Sequence, residues 1–405
     1  MIYKFRAHYW IATTSFVVLF LLLTITKPFL FVSGSVRWYH VLFFSFTTFL
    51  FYHKKLNFQY LGKYKKLYLL IFFIILLNLI LNPNNFRENF GLAVAIISVL
   101  ILVPFLSNPN ARKVLFFTFI YIAAMKILLV YQFSSDEIFF REMSGRGKDK
   151  NYIGMIFDMV LIMMISRIII TRYIKKTKVH ILKNLVITVF IVFLLYSLLI
   201  SGSRSAVLSL IFSIVIILYL VIAHFGVNTT LLRTIIIGSL VLIIGLGIYP
   251  KLIDKYYFIG ENFARLVEFT SGGRDDISNR VILFYSGIEF IKEKPILGHG
   301  IGGEQRISEF NFHNTFFTFW VNFGIFGILF LILLIKYFWG EVKSQIRTLK
   351  RGKGNTYDFL LLIGLFPFFI MFLFLGMTTL VFFMMSLLTS FTYERMRLTG
   401  LTHHR

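Results

Sequence analysis

The sequence predicts an all-α polytopic membrane protein, and three of its features carry that prediction. Of its 405 residues, 58% are hydrophobic, a share too high for an ordinary soluble domain. Runs without charge recur along the chain, and a membrane-spanning helix needs about 20 predominantly apolar residues. Basic residues concentrate between alternate runs, as they do in cytoplasmic loops. This composition disfavours a soluble enzyme, a disordered protein and a soluble DNA-binding protein.

About twelve membrane spans are predicted, within a single integral membrane domain that covers residues 1–405. Lys4 and Arg6 precede the first apolar run, and no small-residue cleavage site is evident after it, so we interpret it as a retained helix. Pro367 lies inside a span, where neighbouring helices can tolerate a kink. The last apolar stretch divides at residues 376–379, and without that division the count is eleven. The predicted spans are 10–31, 38–53, 67–82, 90–106, 114–133, 151–170, 184–200, 205–225, 231–249, 315–338, 358–375 and 378–392.

Basic loops follow the second, fourth, sixth and tenth predicted spans, whereas the intervening short loops are poor in Lys and Arg. By the positive-inside rule, both termini are cytoplasmic and the other loops face outward, which is the periplasm in a Gram-negative inner membrane. Much of the net charge of +24 therefore sets topology and meets anionic lipid headgroups, rather than binding nucleic acid. The basic loop residues include Lys54, Lys55, Lys63, Lys65, Lys66, Arg112, Lys113, Arg172, Lys175, Lys176, Lys178, Lys183, Lys343, Arg347, Lys350, Arg351 and Lys353.

The longest outer loop, residues 250–314 between the ninth and tenth spans, is the expected catalytic segment. Apolar residues recur at helical spacing over 277–292, which predicts an amphipathic helix at the membrane interface. Pro295 and the glycine run of 298–303 then end that helix. The run is not a nucleotide loop, since that motif follows a strand and opens a helix.

Arginines on this outward side are the first candidates for function. Arg204 lies at the outer mouth of a span, beside Ser201, Gly202 and Ser203, and a guanidinium can bind a phosphate through two donors. An interfacial arginine that reaches lipid headgroups explains the same position. Arg280 lies in the amphipathic helix, near its positive end.

His313 and Asn314 immediately precede the tenth span. A neutral imidazole can take a proton from a sugar hydroxyl and so act as a general base, although interfacial histidines are also common. Asn314 has a structural explanation too, as the N-cap of the helix that follows. The loop carboxylates have no recognisable metal-ligand spacing, so we predict neither a metal nor a cofactor.

Lys126 and Asp158 are the clearest charges inside predicted spans. Each lies at a similar depth in its own span, so they are expected to form a structural pair across a helical hairpin. Few other carboxylates occur inside spans, which disfavours a proton-coupled transporter.

Taken together, these segments resemble the bacterial superfamily of O-antigen ligases and O-antigen polymerases, which are polytopic glycosyltransferases. The resemblance covers roughly residues 200–330, and the segment 147–154 is also similar. The residues that carry it are Ser201 to Ala206, Arg280, Pro295 to Gly302, His313-Asn314-Thr315, and Gly324 to Gly327.

The resemblance implies a metal-independent, inverting transfer on the periplasmic side of the bacterial inner membrane. The donor is an oligosaccharide on undecaprenyl diphosphate, and the acceptor is a glycan lipid. It implies that Arg204 and Arg280 hold the diphosphate and that His313 activates the acceptor. Arg274 follows a glycine pair and rivals Arg280, although Asp275 and Asp276 beside it also favour a local salt bridge.

Asn314 and His299 are further candidate contacts with the diphosphate or glycan. Membrane lipids and a chain-length regulator are the other expected partners.

An O-antigen polymerase, whose acceptor is another lipid-linked repeat unit, is our first interpretation. The segment between the glycine run and His313 is about ten residues long, whereas longer insertions are associated with ligases. A ligase that transfers the glycan to lipid A-core is the alternative. A transporter or flippase of lipid-linked sugar is a third, which only the span count supports.

Overall fold

The structure, a computed structural model, describes the chain in separate segments, which together contain helices and one short ribbon of two strands. The described residues are 31–33, 36–37, 62, 64–81, 103, 106, 109–133, 149–171, 181–200, 203–226, 274–300, 303, 314–352, 354–371, 384–385 and 387–391. The elements are β1 (Phe31–Ser33), β2 (Val36–Arg37), α1 (Lys65–Leu81), α2 (Pro109–Phe133), α3 (Asp149–Ile169), α4 (Ile181–Ile200), α5 (Arg204–Phe225), α6 (Arg274–Glu293), α7 (Thr315–Lys350), α8 (Thr356–Ile363) and α9 (Phe366–Met371).

Most of the predicted spans that the structure describes coincide with observed helices. The helices α1 to α5 cover the third, fifth, sixth, seventh and eighth predicted spans, and α7 covers the tenth. Within the described residues, two stretches, Ser205–Phe225 and Thr315–Lys350, are long and apolar enough to cross a membrane, judged by length and composition. The all-α prediction is therefore confirmed in the described residues, apart from the antiparallel ribbon of β1 and β2.

The count of twelve spans and the outward placement of the long loop stay predictions. Several predicted spans lie wholly or largely outside the described residues; these are 10–31, 38–53, 90–106, 231–249 and 378–392.

One predicted span differs from the structure in its continuity. The segment 358–375 was expected to form one kinked helix, but α8 and α9 are separated by a turn at Gly364 and Leu365. Pro367 has no amide proton, so the carbonyl of Ile363, four residues earlier, cannot form its usual helical hydrogen bond. The two amides of the turn instead donate to carbonyls in the last turn of α8, at 2.9 and 3.1 Å.

The chain divides into two compact units. The first unit comprises 1–118, 282–344 and 372–405, and the second comprises 119–281 and 345–371. In the first, the hydroxyls of Tyr68 and Thr389 lie 2.9 Å apart. The buried guanidinium of Arg112 donates to the Leu106 carbonyl and lies over the Phe391 ring, 5.2 Å from its centroid. Polar contacts therefore accompany apolar packing in this core, and the buried cation has partners.

The second unit packs α3 closely against α5, α8 and α9. A side chain at Gly364 would lie 2.8 Å from the Met163 side chain, so the first turn after α8 touches α3 directly. Between α3 and α5, the Ser209 hydroxyl donates to a carboxylate oxygen of Asp158 at 2.6 Å, and both residues are fully buried. The predicted partner of Asp158, Lys126, has a side chain outside the described residues, so that pair stays a prediction.

Candidate functional site

Arg204 is the first residue of α5, so its backbone lies at a helix N-terminus. Ser203 precedes it in an extended conformation, and the Ser203 hydroxyl accepts a hydrogen bond from the Ala206 amide at 3.3 Å. This cap satisfies one of the four amide groups that the first turn of a helix leaves unpaired. The start of α5 is thereby fixed. The Arg204 side chain, like Ser201 and Gly202, lies outside the described residues.

The helix α6 confirms the helix predicted over 277–292 and begins three residues earlier, at Arg274. Arg280 lies in its second turn. Asp275 and Asp276 follow Arg274 directly, in the first turn, where carboxylates interact favourably with the helix dipole. The side chains of both arginines lie outside the described residues, so the choice between them as a diphosphate ligand stays open.

An aromatic contact joins the later part of α6 to the first turn of α7. The rings of Phe284 and Phe317 meet edge to face, with centroids 5.0 Å apart. Phe284 lies one turn after Arg280, and Phe317 lies four residues after His313. The contact therefore holds together the two segments that follow these candidate residues.

Asn314 is the N-cap of α7, as its structural explanation predicted. Its side-chain oxygen accepts hydrogen bonds from the amides of Phe316 and Phe317, at 2.9 and 3.1 Å. Its backbone carbonyl accepts from the amide of Thr318 at 2.9 Å. The cap fixes the residue at which α7 begins. His313 lies just outside the described residues, and the predicted contact of Asn314 with substrate stays a prediction.

His299 closes the C-terminal end of α6. Its Nε2 lies 2.9 Å from the carbonyl oxygen of Phe290, in the last turn of that helix. Because a carbonyl oxygen can only accept, Nε2 carries the proton in this contact. The side chain is 10% exposed, and the Glu293 carboxylate lies 3.8 Å from Nε2. The described contacts of His299 are thus with the protein, and its predicted contact with substrate is untested.

The helix α7 is broken at Gly324. This residue has φ 61° and ψ −150°, a conformation that is strained for every residue except glycine. Helical hydrogen bonding is interrupted there, so backbone groups in the middle of an apolar helix need partners outside that helix. In a bilayer such groups are tolerated only where other protein groups satisfy them.

The turn Pro295–Gly300 satisfies them through its own backbone. Its glycines predicted the end of α6 correctly, but the pairing with α7 was not predicted. Three hydrogen bonds join the turn to the break: His299 N–H to Val321 C=O at 2.7 Å, Gly300 N–H to Asn322 C=O at 2.9 Å, and Ile325 N–H to Pro295 C=O at 3.0 Å.

Two glycines make this approach possible. A Cβ on Gly298 would lie 2.6 Å from backbone atoms of Asn322, and one on Gly324 would lie 2.1 Å from the carbonyl oxygen of Ile296. The turn and the break therefore touch backbone to backbone, and neither position has room for a side chain. Gly298 in the turn and Gly324 in α7 therefore belong to one structural motif.

Comparison with known families finds a match in the central part of the chain. Residues 189–332 match the model of a family described as O-antigen ligase. This central part of the chain is similar to the O-antigen ligase family. The predicted resemblance is thus confirmed over that region. Comparison with curated proteins finds no significant match.

Members of the O-antigen ligase family are integral membrane proteins of a glycosyltransferase-like class, and their substrates are lipid-linked glycans. The matched region runs from the middle of α4 to the middle of α7 and includes the capped start of α5, all of α6, the turn and the helix break. The candidate site residues that lie in it are Arg204, Arg274, Arg280, His299, His313 and Asn314.

Proposed function

We propose that the protein is an O-antigen polymerase of the bacterial inner membrane, a glycosyltransferase that joins oligosaccharide repeat units. The donor is a glycan chain on undecaprenyl diphosphate, and the acceptor is a second lipid-linked repeat unit. The reaction takes place on the periplasmic side, and both termini are cytoplasmic. The match of residues 189–332 to the O-antigen ligase family supports the substrate class, and the chemistry of the candidate residues supports the reaction.

The observation that carries the proposal is the position of the candidate residues within the family region. Arg204 is the first residue of α5, and Arg274 and Arg280 lie in the first two turns of α6. Asn314 caps α7 directly after His313. The N-terminus of a helix presents unpaired amides and a partial positive charge, which favour phosphate. Guanidinium groups at such positions suit a lipid diphosphate, the most highly charged part of the proposed donor.

The reaction follows from these roles. A hydroxyl oxygen of the acceptor sugar attacks the anomeric carbon of the donor, and His313 takes the hydroxyl proton as general base. The bond between the anomeric carbon and the diphosphate oxygen breaks, and undecaprenyl diphosphate leaves with the electron pair. Attack opposite to the leaving group inverts the anomeric centre.

Negative charge grows on the departing diphosphate in this step. The backbones of Arg204 and Arg280 lie in helices, and guanidinium donors held in place before the reaction would stabilise its transition state strongly. One donor removed from a site of this kind costs about 10²–10³ in kcat. The proposal therefore needs no metal, because guanidinium groups neutralise the leaving group.

A ligase is the second candidate, because the matching family is described by that activity. In that case the donor, the leaving group and the roles of Arg204 and His313 stay the same, and lipid A-core is the acceptor. The short segment between the glycine run and His313 supports the polymerase, since longer insertions there are associated with ligases.

The test uses purified protein in liposomes with a defined undecaprenyl-diphosphate-linked repeat unit. A polymerase produces a ladder of lengthened glycans from this substrate without any other acceptor. A ligase produces new material only when lipid A-core is added. Movement of the lipid-linked sugar across the liposome membrane without new glycosidic bonds would refute both enzymes and identify a flippase.

A further inference from the structure

We infer that Gly154 and Asp158 of α3 are positioning residues that hold the first two turns of α5, and with them Arg204, in the place that the reaction requires. The inference deepens the proposed function and rests on it for the role of Arg204. It concerns contacts within the second compact unit, between two helices that are both described.

Gly154 touches the turn that carries Arg204. A Cβ on Gly154 would lie 2.8 Å from the Cβ of Ala206, 3.0 Å from the Cβ of Ser203 and 3.2 Å from the Ser203 hydroxyl. Ser203 and Ala206 are the two residues joined by the N-cap hydrogen bond, and Arg204 lies between them. The two contacted residues are 1% and 0% exposed, so they cannot shift into open space. The backbone of α3 thus packs directly against the N-cap of α5.

Asp158 holds α5 one turn further along. It lies four residues after Gly154, on the same face of α3, and its carboxylate oxygen accepts a hydrogen bond from the Ser209 hydroxyl at 2.6 Å. Ser209 follows Arg204 by five residues, about 7.5 Å along the helix axis. The Ser209 oxygen also lies 3.5 Å from the Pro367 carbonyl oxygen, at the second residue of α9.

These two points fix both the height and the rotation of α5 at its N-terminus. Ala206, Ser209 and Ser213 are buried at helical spacing on this face, and such small residues let helix backbones approach closely. A close and rigid contact is what an oriented guanidinium needs, because a misplacement of about 1 Å can lower a rate about 10²-fold. No part of this contact requires Gly154 or Asp158 to touch the substrate.

The test compares Gly154→Ala with Gly340→Ala in the full-length protein. Both glycines lie in helices, but a Cβ on Gly340 would meet nothing within 4 Å. Alanine has a higher helix propensity than glycine, so we expect the control Gly340→Ala to retain wild-type transfer. We expect Gly154→Ala to lower kcat for the lipid-linked repeat unit tenfold or more, with little change in KM. The double variant Gly154→Ala/Ala206→Gly removes the closest of these contacts and should recover part of the rate.

A second readout does not depend on activity. The chain contains no cysteine, so Arg204→Cys provides a unique site for a nitroxide label. The spectrum of that label should change when Gly154→Ala is added, and should not change when Gly340→Ala is added. Asp158→Ala should loosen the label, whereas Asp158→Asn, which keeps an acceptor for Ser209, should change it less.

The two readouts separate the possible failures. If the wild-type protein transfers no sugar but the label responds, the contact holds residue 204 and the proposed function is wrong. If transfer occurs and Gly154→Ala matches Gly340→Ala in both kcat and label spectrum, the positioning role is wrong. Loss of transfer without recovery in the double variant would also overturn it.

Discussion

Substitution of Gly324 by alanine should destabilise the protein more than any other glycine-to-alanine substitution discussed above. The new Cβ would lie 2.1 Å from the carbonyl oxygen and 2.3 Å from the carbonyl carbon of Ile296, and 2.7 Å from the Leu297 nitrogen. These are backbone atoms, which cannot rotate away as a flexible side chain can. Optimal contacts between heavy atoms are about 3.5 Å, so the turn must retreat by more than about 1 Å.

That retreat breaks the backbone pairing of the turn. Three hydrogen bonds of 2.7 to 3.0 Å join it to the helix break, and each contributes about 1 kcal/mol net. The φ of 61° adds about 1–3 kcal/mol of strain for a residue that carries a Cβ. The sum, about 4–6 kcal/mol, exceeds what most point mutations cost and is a large part of the stability of a typical domain.

The measurement is the thermal unfolding of purified protein in detergent, with Gly340→Ala as the control. We expect a markedly lower melting temperature, or no folded protein, for Gly324→Ala, and an unchanged one for the control. Gly298→Ala should behave like Gly324→Ala, because its Cβ would lie 2.6 Å from the backbone of Asn322. A Gly324→Ala protein with the melting temperature of the wild type would refute the backbone pairing.

Three further outcomes test the site. Arg204→Ala and Arg280→Ala should each abolish long-chain glycan while the protein still reaches the membrane. The control Arg347→Ala, which changes an exposed residue near the end of α7, should leave glycan synthesis intact. The glycan is analysed on gels, and full activity of Arg204→Ala or Arg280→Ala would show that the replaced arginine is not part of the site. Product should form with a chelator present, and complete inhibition that a divalent ion reverses would show that a metal carries the leaving-group charge. Asn314→Ala should lower stability by about 1 kcal/mol through loss of the cap. Asn314→Asp should keep the melting temperature but lower transfer, because it lacks the amide donor; unchanged transfer would restrict Asn314 to capping.

Hydropathy predicted the described helices well because it reports a property of each segment by itself. The helix α5 begins one residue before the predicted span at 205, and α6 appears where apolar residues recur at helical spacing. The break at Gly364–Leu365 also had a local signal, in Pro367, although a kink rather than a turn was expected.

The pairing of the turn with α7 had no local signal of this kind. Gly324 occurs in an apolar run that reads as an unbroken helix, and its φ depends on a turn some 25 residues earlier in the chain. Both glycine segments belong to the resemblance, yet resemblance does not explain why each must be glycine. Gly154 is similar: its role depends on the distance to Ala206, which no spacing within one helix reveals.

Helix electrostatics distinguish the arginines from one another. A cation at a helix N-terminus opposes the dipole, and this costs about 0.3–1 kcal/mol at an exposed site. Arg274 also begins a helix, but Asp275 and Asp276 follow it directly, and their negative charges can offset this unfavourable interaction. Arg204 begins a helix whose first turn contains no acidic residue. Sequences break such local rules mainly at functional sites. An anionic ligand would turn that unfavourable charge into binding energy, which supports Arg204 as a diphosphate ligand.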